Sequence, residues 1–313
     1  MASLSLNRKT LRALLPLASL ALVLAATFYA QPRTMSYFGL NLMLQYAVPI
    51  ALATIAQMFI ITVNDLDLSI GPFVGLVGCI GATYLHETPA LGALALLLCI
   101  AAYAAMAALI HLRSLPSIVV TLGASFIWLG IAVMILPSPG GKAPDWLKAI
   151  MSLQVPLIPF PIVAALAIAL LVHIGLMTSS YGVIMRGTGG NPRAMARAGW
   201  SELRTKMAMY ALAGFFGVLS GLSLIGLTTS ADAHIADRYT LYAIAGVILG
   251  GGEFVGGRVS PFGAVIGALT LALAGSFLIF MRISPDWQIG AQGAILIIVL
   301  ALRALISAGE VRR

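Results

Sequence analysis

Apolar runs of roughly 17–25 residues follow one another along almost the whole chain, separated by short polar breaks; about 20 such residues cross a bilayer core. Ten runs have that length, at about 13–30, 40–63, 68–85, 90–112, 116–137, 157–177, 206–228, 241–256, 261–281 and 287–308. They predict an all-α, polytopic membrane protein built as one transmembrane domain over 1–313. The eighth run is the weakest, because "GVILGGGEFVGGR" is rich in glycine and carries Glu253. A short or partly re-entrant element is expected there, buried in protein or facing water. The first run follows Arg8, Lys9 and Arg12 in the manner of a signal peptide, but it continues to about Ala30 and further spans follow. It reads as a retained first helix.

Composition agrees with this pattern. Of 313 residues 60% are hydrophobic and 9% charged, against about 25% charged in a soluble domain. The mean hydropathy of +1.02 leaves no room for a large soluble domain. The net charge of +8 comes from basic residues scattered singly between apolar runs, with no aromatic-interleaved stripe, so nucleic acid is not an expected partner. The basic residues instead set orientation. With the N-terminus in the cytoplasm, inside loops receive thirteen: Arg8, Lys9, Arg12, Arg113, Arg186, Arg193, Arg197, Arg204, Lys206, Arg258, Arg303, Arg312 and Arg313. The outside receives five, Arg33, Lys142, Lys148, Arg238 and Arg282. Both termini are therefore expected in the cytoplasm.

Two loops are long. The outer one, 138–156, is expected to hold a short surface helix at 145–152 after its Pro-Gly turn signals. The inner one, 178–206, separates 13–177, with six of the ten runs, from 206–308, with four; the ten runs can also be counted as two five-helix halves. That arrangement is compatible with an inverted repeat of the transporter kind.

Catalytic chemistry finds little support. His86, His111, His173 and His234 fall in separate segments without metal-ligand spacing, His86 and His234 at outer span ends. Cys79 and Cys99 lie inside apolar runs, where free cysteine packs as a small hydrophobe. "GGKAP" at 140–144 lacks the hydroxyl of a phosphate loop, so no metal or cofactor is expected in this chain.

The polar residues within or beside the runs are more selective. "NDLDLSIG", Asn64 to Gly71, sets Asp65 and Asp67 between two strongly apolar stretches. Three readings stand open: helix caps with Ser69 at a water-facing turn, a polar wall of a solute path, and direct ion binding. Asn41 and Gln45 lie one turn apart at the outer end of the second run, and Thr121, Ser125 and Trp128 share a face of the fifth. Such a neutral lining suits an uncharged polyhydroxy solute, and interhelical packing is the plainer alternative. Glycines at three- and four-residue spacing (Gly71 and Gly75; Gly214, Gly217 and Gly221; Gly263 and Gly267) predict close helix crossings. In the inner loop, Gly189 and Gly190 are expected to make a tight turn, Asn191 to cap, and 192–197 to form a short helix with Pro at its first position. Arg193 and Arg197 then share a face.

Three segments, taken in order, resemble the ribose-type permeases of ABC importers. "DLDLSIG" (65–71) is similar to their Gly-Gly-Ile-Asp-Leu-Ser-Val-Gly signature, with Asn64 and Asp65 standing where the family has its glycine pair. "YGVIMRGTGGNPRAMARAGW" (181–200) is similar to their cytoplasmic segment through Gly182, Gly189, Gly190, Asn191, Ala194 and Gly199. "AIAGVILGGGEFVGGRVSPFGAVIGAL" with "ISPDWQIGAQG" matches their C-terminal pattern through Gly250, Gly251, Gly256, Gly257, Arg258, Gly263, Gly267, Pro285, Trp287 and Gly293. The resemblance implies a type II ABC importer-like bundle, in which two permease chains, the same or similar, form the pore across a bacterial inner membrane. It also implies an ATPase subunit holding ATP and magnesium, a periplasmic binding protein delivering a sugar or polyol, and a coupling helix within 186–206. An ion-coupled carrier acting without an ATPase is the rival reading.

Overall fold

A computed structural model describes residues 8–282 and the single positions 287, 290, 293, 294 and 297. Pro285 and the remainder of the tenth run lie outside the described residues. The chain is helical throughout, with one isolated β-bridge between Gly140 and Ala231 among the described residues.

In chain order the helices are α1 (Arg8–Ala30), α2 (Tyr37–Leu44), α3 (Ala47–Thr62), α4 (Ile70–Ala82), α5 (Tyr84–Glu87), α6 (Pro89–Leu112), α7 (Ser117–Ile135) and α8 (Asp145–Met151). Then come α9 (Phe160–His173), α10 (Ser180–Gly190), α11 (Pro192–Arg197), α12 (Glu202–Thr228), α13 (Tyr239–Leu249) and α14 (Pro261–Phe280). A π-helical turn, Ile174–Thr178, extends α9. Starts follow the side chains available: Ser179, Ser201 and Ser260 accept hydrogen bonds from the amides of Gly182, Arg204 and Gly263.

Five described helices are long and apolar enough to cross a membrane, or six if the pair α2–α3, bent by 42°, is one span. Three predicted runs differ in form. The second run breaks between Leu44 and Ala47. The third supplies only 13 helical residues in α4, and the eighth only 11 in α13. α13 stops at Gly250 because the following glycines take up left-handed backbone: Gly251, Gly256 and Gly257 have φ of +95°, +90° and +65°.

The core lies where α3, α4, α12, α13 and α14 meet. All sixteen residues of α3 are buried. α12 and α14 are 61% buried over their apolar windows, whereas α6, α7 and α9 are only 28–33% buried and turn Leu97, Phe126 and Leu171 outward. So large an apolar exterior is the surface of a protein solvated by lipid. Helix crossings are tight at glycine. A Cβ on Gly263 would strike the Gly250 carbonyl, one on Gly267 the Gly246 carbonyl, and one on Gly221 Val77 of α4. Close backbone approach of this kind compensates for the absence of a hydrophobic drive between helices in lipid. Cys79 and Cys99 are free and buried, as expected of packing residues.

Loops alternate between two ends. At one, Gly140 pairs with Ala231, the Ala143 amide reaches the Thr229 carbonyl and α8 lies against Gly226. At the other, the end of α10, which leads into α11, lies against the α3–α4 break and the glycine loop that follows α13.

Candidate functional site at the α3–α4 break

"NDLDLSIG" forms the break itself. Thr62 ends α3, and Asn64 turns the chain with φ +63°, a conformation that asparagine tolerates better than most residues. Its side chain then joins two distant segments. Nδ2 donates to the Gly189 carbonyl at the end of α10 (2.6 Å), and Oδ1 accepts from the Gly256 amide in the loop after α13 (3.0 Å). The three segments that carried the resemblance are thereby joined through one residue.

Glycines let the joint close. Gly189 lies against the Thr62 carbonyl and Gly257 against the Arg186 carbonyl, in space that a Cβ would need. Gly189 and Gly190 are the last residues of α10 rather than a tight turn, so Gly189 serves close packing instead of chain reversal. Asn191 caps α11 as expected, accepting from the Ala194 amide (3.0 Å), with Pro192 at the first helical position. No residue of α11 is buried, so Arg193 and Arg197 face outward, and Gly199 ends the unit with φ +85°. Arg258 stands in the glycine loop, 3.4 Å from Glu253.

The two aspartates part company. Asp65 pairs with Lys206 on α12 (3.3 Å) and accepts from the Tyr210 hydroxyl (3.2 Å), with side-chain exposure of only 9% for Asp65 and 15% for Lys206. Lys206 also lies 3.8 Å from Glu202, which meets His111. Asp67 is fully buried, not at a water-facing turn. It accepts from the Ser69 amide (2.6 Å), the Ser69 hydroxyl (2.7 Å) and the Tyr103 hydroxyl (2.8 Å). Asp67 thus caps the approach to α4, whereas Ser69, at the N-cap position, spends its hydroxyl on Asp67 and makes no capping bond of its own. Gln57 of α3, also buried, meets the Asp67 backbone N–H and C=O with its amide turned to satisfy both. Hydroxyls and amides so placed can hold a carboxylate inside a bundle.

The shared face of α7 closes on this break. The Ser117 and Thr121 hydroxyls accept from the Leu66 and Leu68 amides, each at 3.1 Å. Ser125 is bonded to its own helix at the Leu122 carbonyl (2.6 Å), and Trp128 stacks on Tyr103 with centroids 6.4 Å apart. Thr121, Ser125 and Trp128 are all buried, so in this chain they pack against α4 and its approach. Asn41, on α2, and Gln45, just past its end, are half-buried at the far end, away from this joint. Sequence reasoning missed Gln57, Tyr103, Lys206 and Tyr210. The usable signal was that each sets a polar group in or against an apolar helix, where it requires a partner.

A lipid-solvated helical bundle, with a polar joint anchoring an exposed basic helix, defines a membrane transport subunit more closely than a catalyst. The family model described as branched-chain amino acid transport system / permease component matches residues 39–300, and the chain belongs to that family. It is a permease component and not an enzyme, and the resemblance read from the three segments is borne out. The chain is similar to the galactose/methyl galactoside import permease protein of Haemophilus influenzae, 28% identical over 289 residues covering 85% of each chain. It is 26% identical over 270 residues to the ribose import permease protein of the same organism, 83% of both chains, and 25% identical over 266 residues to an autoinducer 2 import system permease protein of Enterobacter sp., 82% of this chain and 81% of that one. No solved structure matches.

Proposed function

We propose that the chain is the permease subunit of a binding-protein-dependent ABC importer carrying a sugar or sugar-like polyol into a bacterial cell by ATP-driven alternating access. Two permease chains form the pore, a periplasmic binding protein delivers the solute, and a separate ATPase subunit holds ATP and magnesium. The membrane-import relatives named above support the solute class. Both termini and the α11 end face the cytoplasm in this reading, in line with the excess of basic residues there.

The observation that carries the mechanism is the Asn64 joint. α11 presents Arg193 and Arg197 to a partner while its neighbour α10 is tied, through Gly189, to the hinge between two core helices. A push on α11 by an ATPase therefore reaches α3, α4 and the glycine loop through hydrogen bonds and backbone contact. Asp65, paired with a lysine, and Asp67, satisfied by hydroxyls, support structural roles over ion coupling.

The test is affinity purification of tagged chain from native membranes, with ATPase activity assayed on the eluate. An ATPase co-purifies with the native chain; in Arg193→Glu with Arg197→Glu the permease still inserts, but the ATPase and solute uptake are lost. Unchanged uptake in that variant would remove α11 from the coupling role. A lone chain that moves solute in liposomes would favour the ion-driven carrier.

A further inference from the structure

The chain between α12 and α13 was expected to be an outer loop, with His234 and Arg238 outside the membrane. Its neighbours place it deeper. α12, with 27 residues, is about 40 Å long at 1.5 Å per residue. Lys206 meets Asp65 near one end of α12, and Gly226 meets α8 near the other. Between them Gly217 lies against Phe73 and Gly221 against Val77, so α4 runs beside the middle of α12.

The 232–238 segment packs on that same stretch of α4. The Ala233 carbonyl backs onto Gly75, the Ala236 carbonyl onto Gly71, and the Gly71 amide donates to the Thr240 hydroxyl at 3.0 Å. His234 to Arg238 therefore sit at the level of Gly71 to Gly75, mid-way through the bundle. The crossing is half irregular, descending from the Gly140–Ala231 bridge, and half helical, in α13.

This mid-depth segment is also exposed. The side chains of His234 and Asp237 are 58% and 50% accessible and 3.0 Å apart, and the Asp232 carboxylate accepts from the His234 amide. Arg238 borders a cavity of about 290 Å³ with Tyr46, Tyr242 and Ser276. Irregular backbone and charged side chains at membrane depth do not face lipid; they face a water-filled cavity or other protein. We infer that the 232–238 segment lines the aqueous translocation path, and that its mixed donors and acceptors (Asp237, His234, Arg238) take a neutral, hydrogen-bonding solute. The solute class rests on the importer reading; the water-filled path does not.

The experiment is thiol labelling of the full chain in native membrane vesicles, frozen and thawed so that reagent reaches both faces. Single variants His234→Cys and Asp237→Cys are compared with Lys142→Cys, in the exposed 138–156 loop, and Leu97→Cys, on the lipid-facing side of α6. Buried Cys79 and Cys99 stay in place, and unsubstituted chain gives the background. Membrane-impermeant thiosulfonates are expected to label positions 234 and 237 at rates within about tenfold of position 142, leaving position 97 at background. On His234→Cys, cationic and anionic reagents are expected to react within about threefold of one another, because the wall carries both signs. Background labelling at both 234 and 237, with 142 reactive, would overturn the path and show a surface covered by protein or lipid. A preference of more than about tenfold for one reagent sign would overturn the neutral solute. Neither readout involves an ATPase, so failure here is distinct from failure of the importer reading.

Discussion

Asn64 joins segments 125 and 192 residues away through one side-chain amide, and its backbone is left-handed. Asn64→Ala loses both hydrogen bonds, each about 1 kcal/mol, and adds about 1 kcal/mol of left-handed strain, whereas Asn64→Gly loses the bonds alone. Thermal unfolding of purified chain should therefore order native above Asn64→Gly above Asn64→Ala, and both variants should lose coupled uptake. Equal melting of the two variants would show that backbone conformation matters little. At the neighbouring position, Lys206→Met leaves Asp65 without its cation. The expected cost is about 2–3 kcal/mol, below the roughly 3–5 kcal/mol of a fully buried pair because both side chains keep some water. Adding Asp65→Asn should restore much of that loss, and a double-mutant cycle in unfolding measures the recovery. The octapeptide around these aspartates was visible in the sequence as an acid-bearing break in apolar chain. Lys206 and Tyr210 were not, because nothing local marks a residue across the bundle as a partner.

Helix lengths and crossings follow from glycine placement more than from hydropathy. Gly71, Gly75, Gly217, Gly221, Gly263 and Gly267 were legible as close-packing positions, and each does meet a neighbouring backbone or side chain. Their counterparts Gly246 and Gly250 became evident only once α13 lay across α14. Gly263→Val places a branched side chain on the Gly250 carbonyl, with no flexible neighbour to yield. Little folded chain is expected from membranes by size-exclusion chromatography, while Gly123→Val on α7, with open space around it, should be tolerated. The same reasoning separates the caps. Asn191 behaves as its local sequence predicts, because a cap needs only the next three residues. Ser69 does not, because Asp67 two residues earlier claims its hydroxyl.

For the molecule as a whole, loops alternate between two ends, and the assignment of one end to the cytoplasm rests on the basic residues. On the inferred path Arg238 would leave the outer tally, because the loop-like 232–238 stretch packs beside Gly71 to Gly75 of α4. If the α11 end is cytoplasmic, an impermeant thiol reagent applied to intact cells stripped of their outer membrane should label Lys142→Cys at once and Arg193→Cys only after permeabilisation. The reverse pattern would invert the protein in the membrane. Membrane residence, helical class, the exposed α11 with its cap and the glycine crossings follow from the sequence alone, since each depends on run length, spacing or a few adjacent residues. Tertiary structure alone decided that Asn64 is a joint, that Asp65 is paired and Asp67 buried, that the face of Thr121 and Trp128 is packed, and that a loop-like stretch from Asp232 to Arg238 packs beside Gly71 to Gly75 of α4. These depend on which distant segments meet, and hydropathy measures how apolar a stretch is without saying what it lies against.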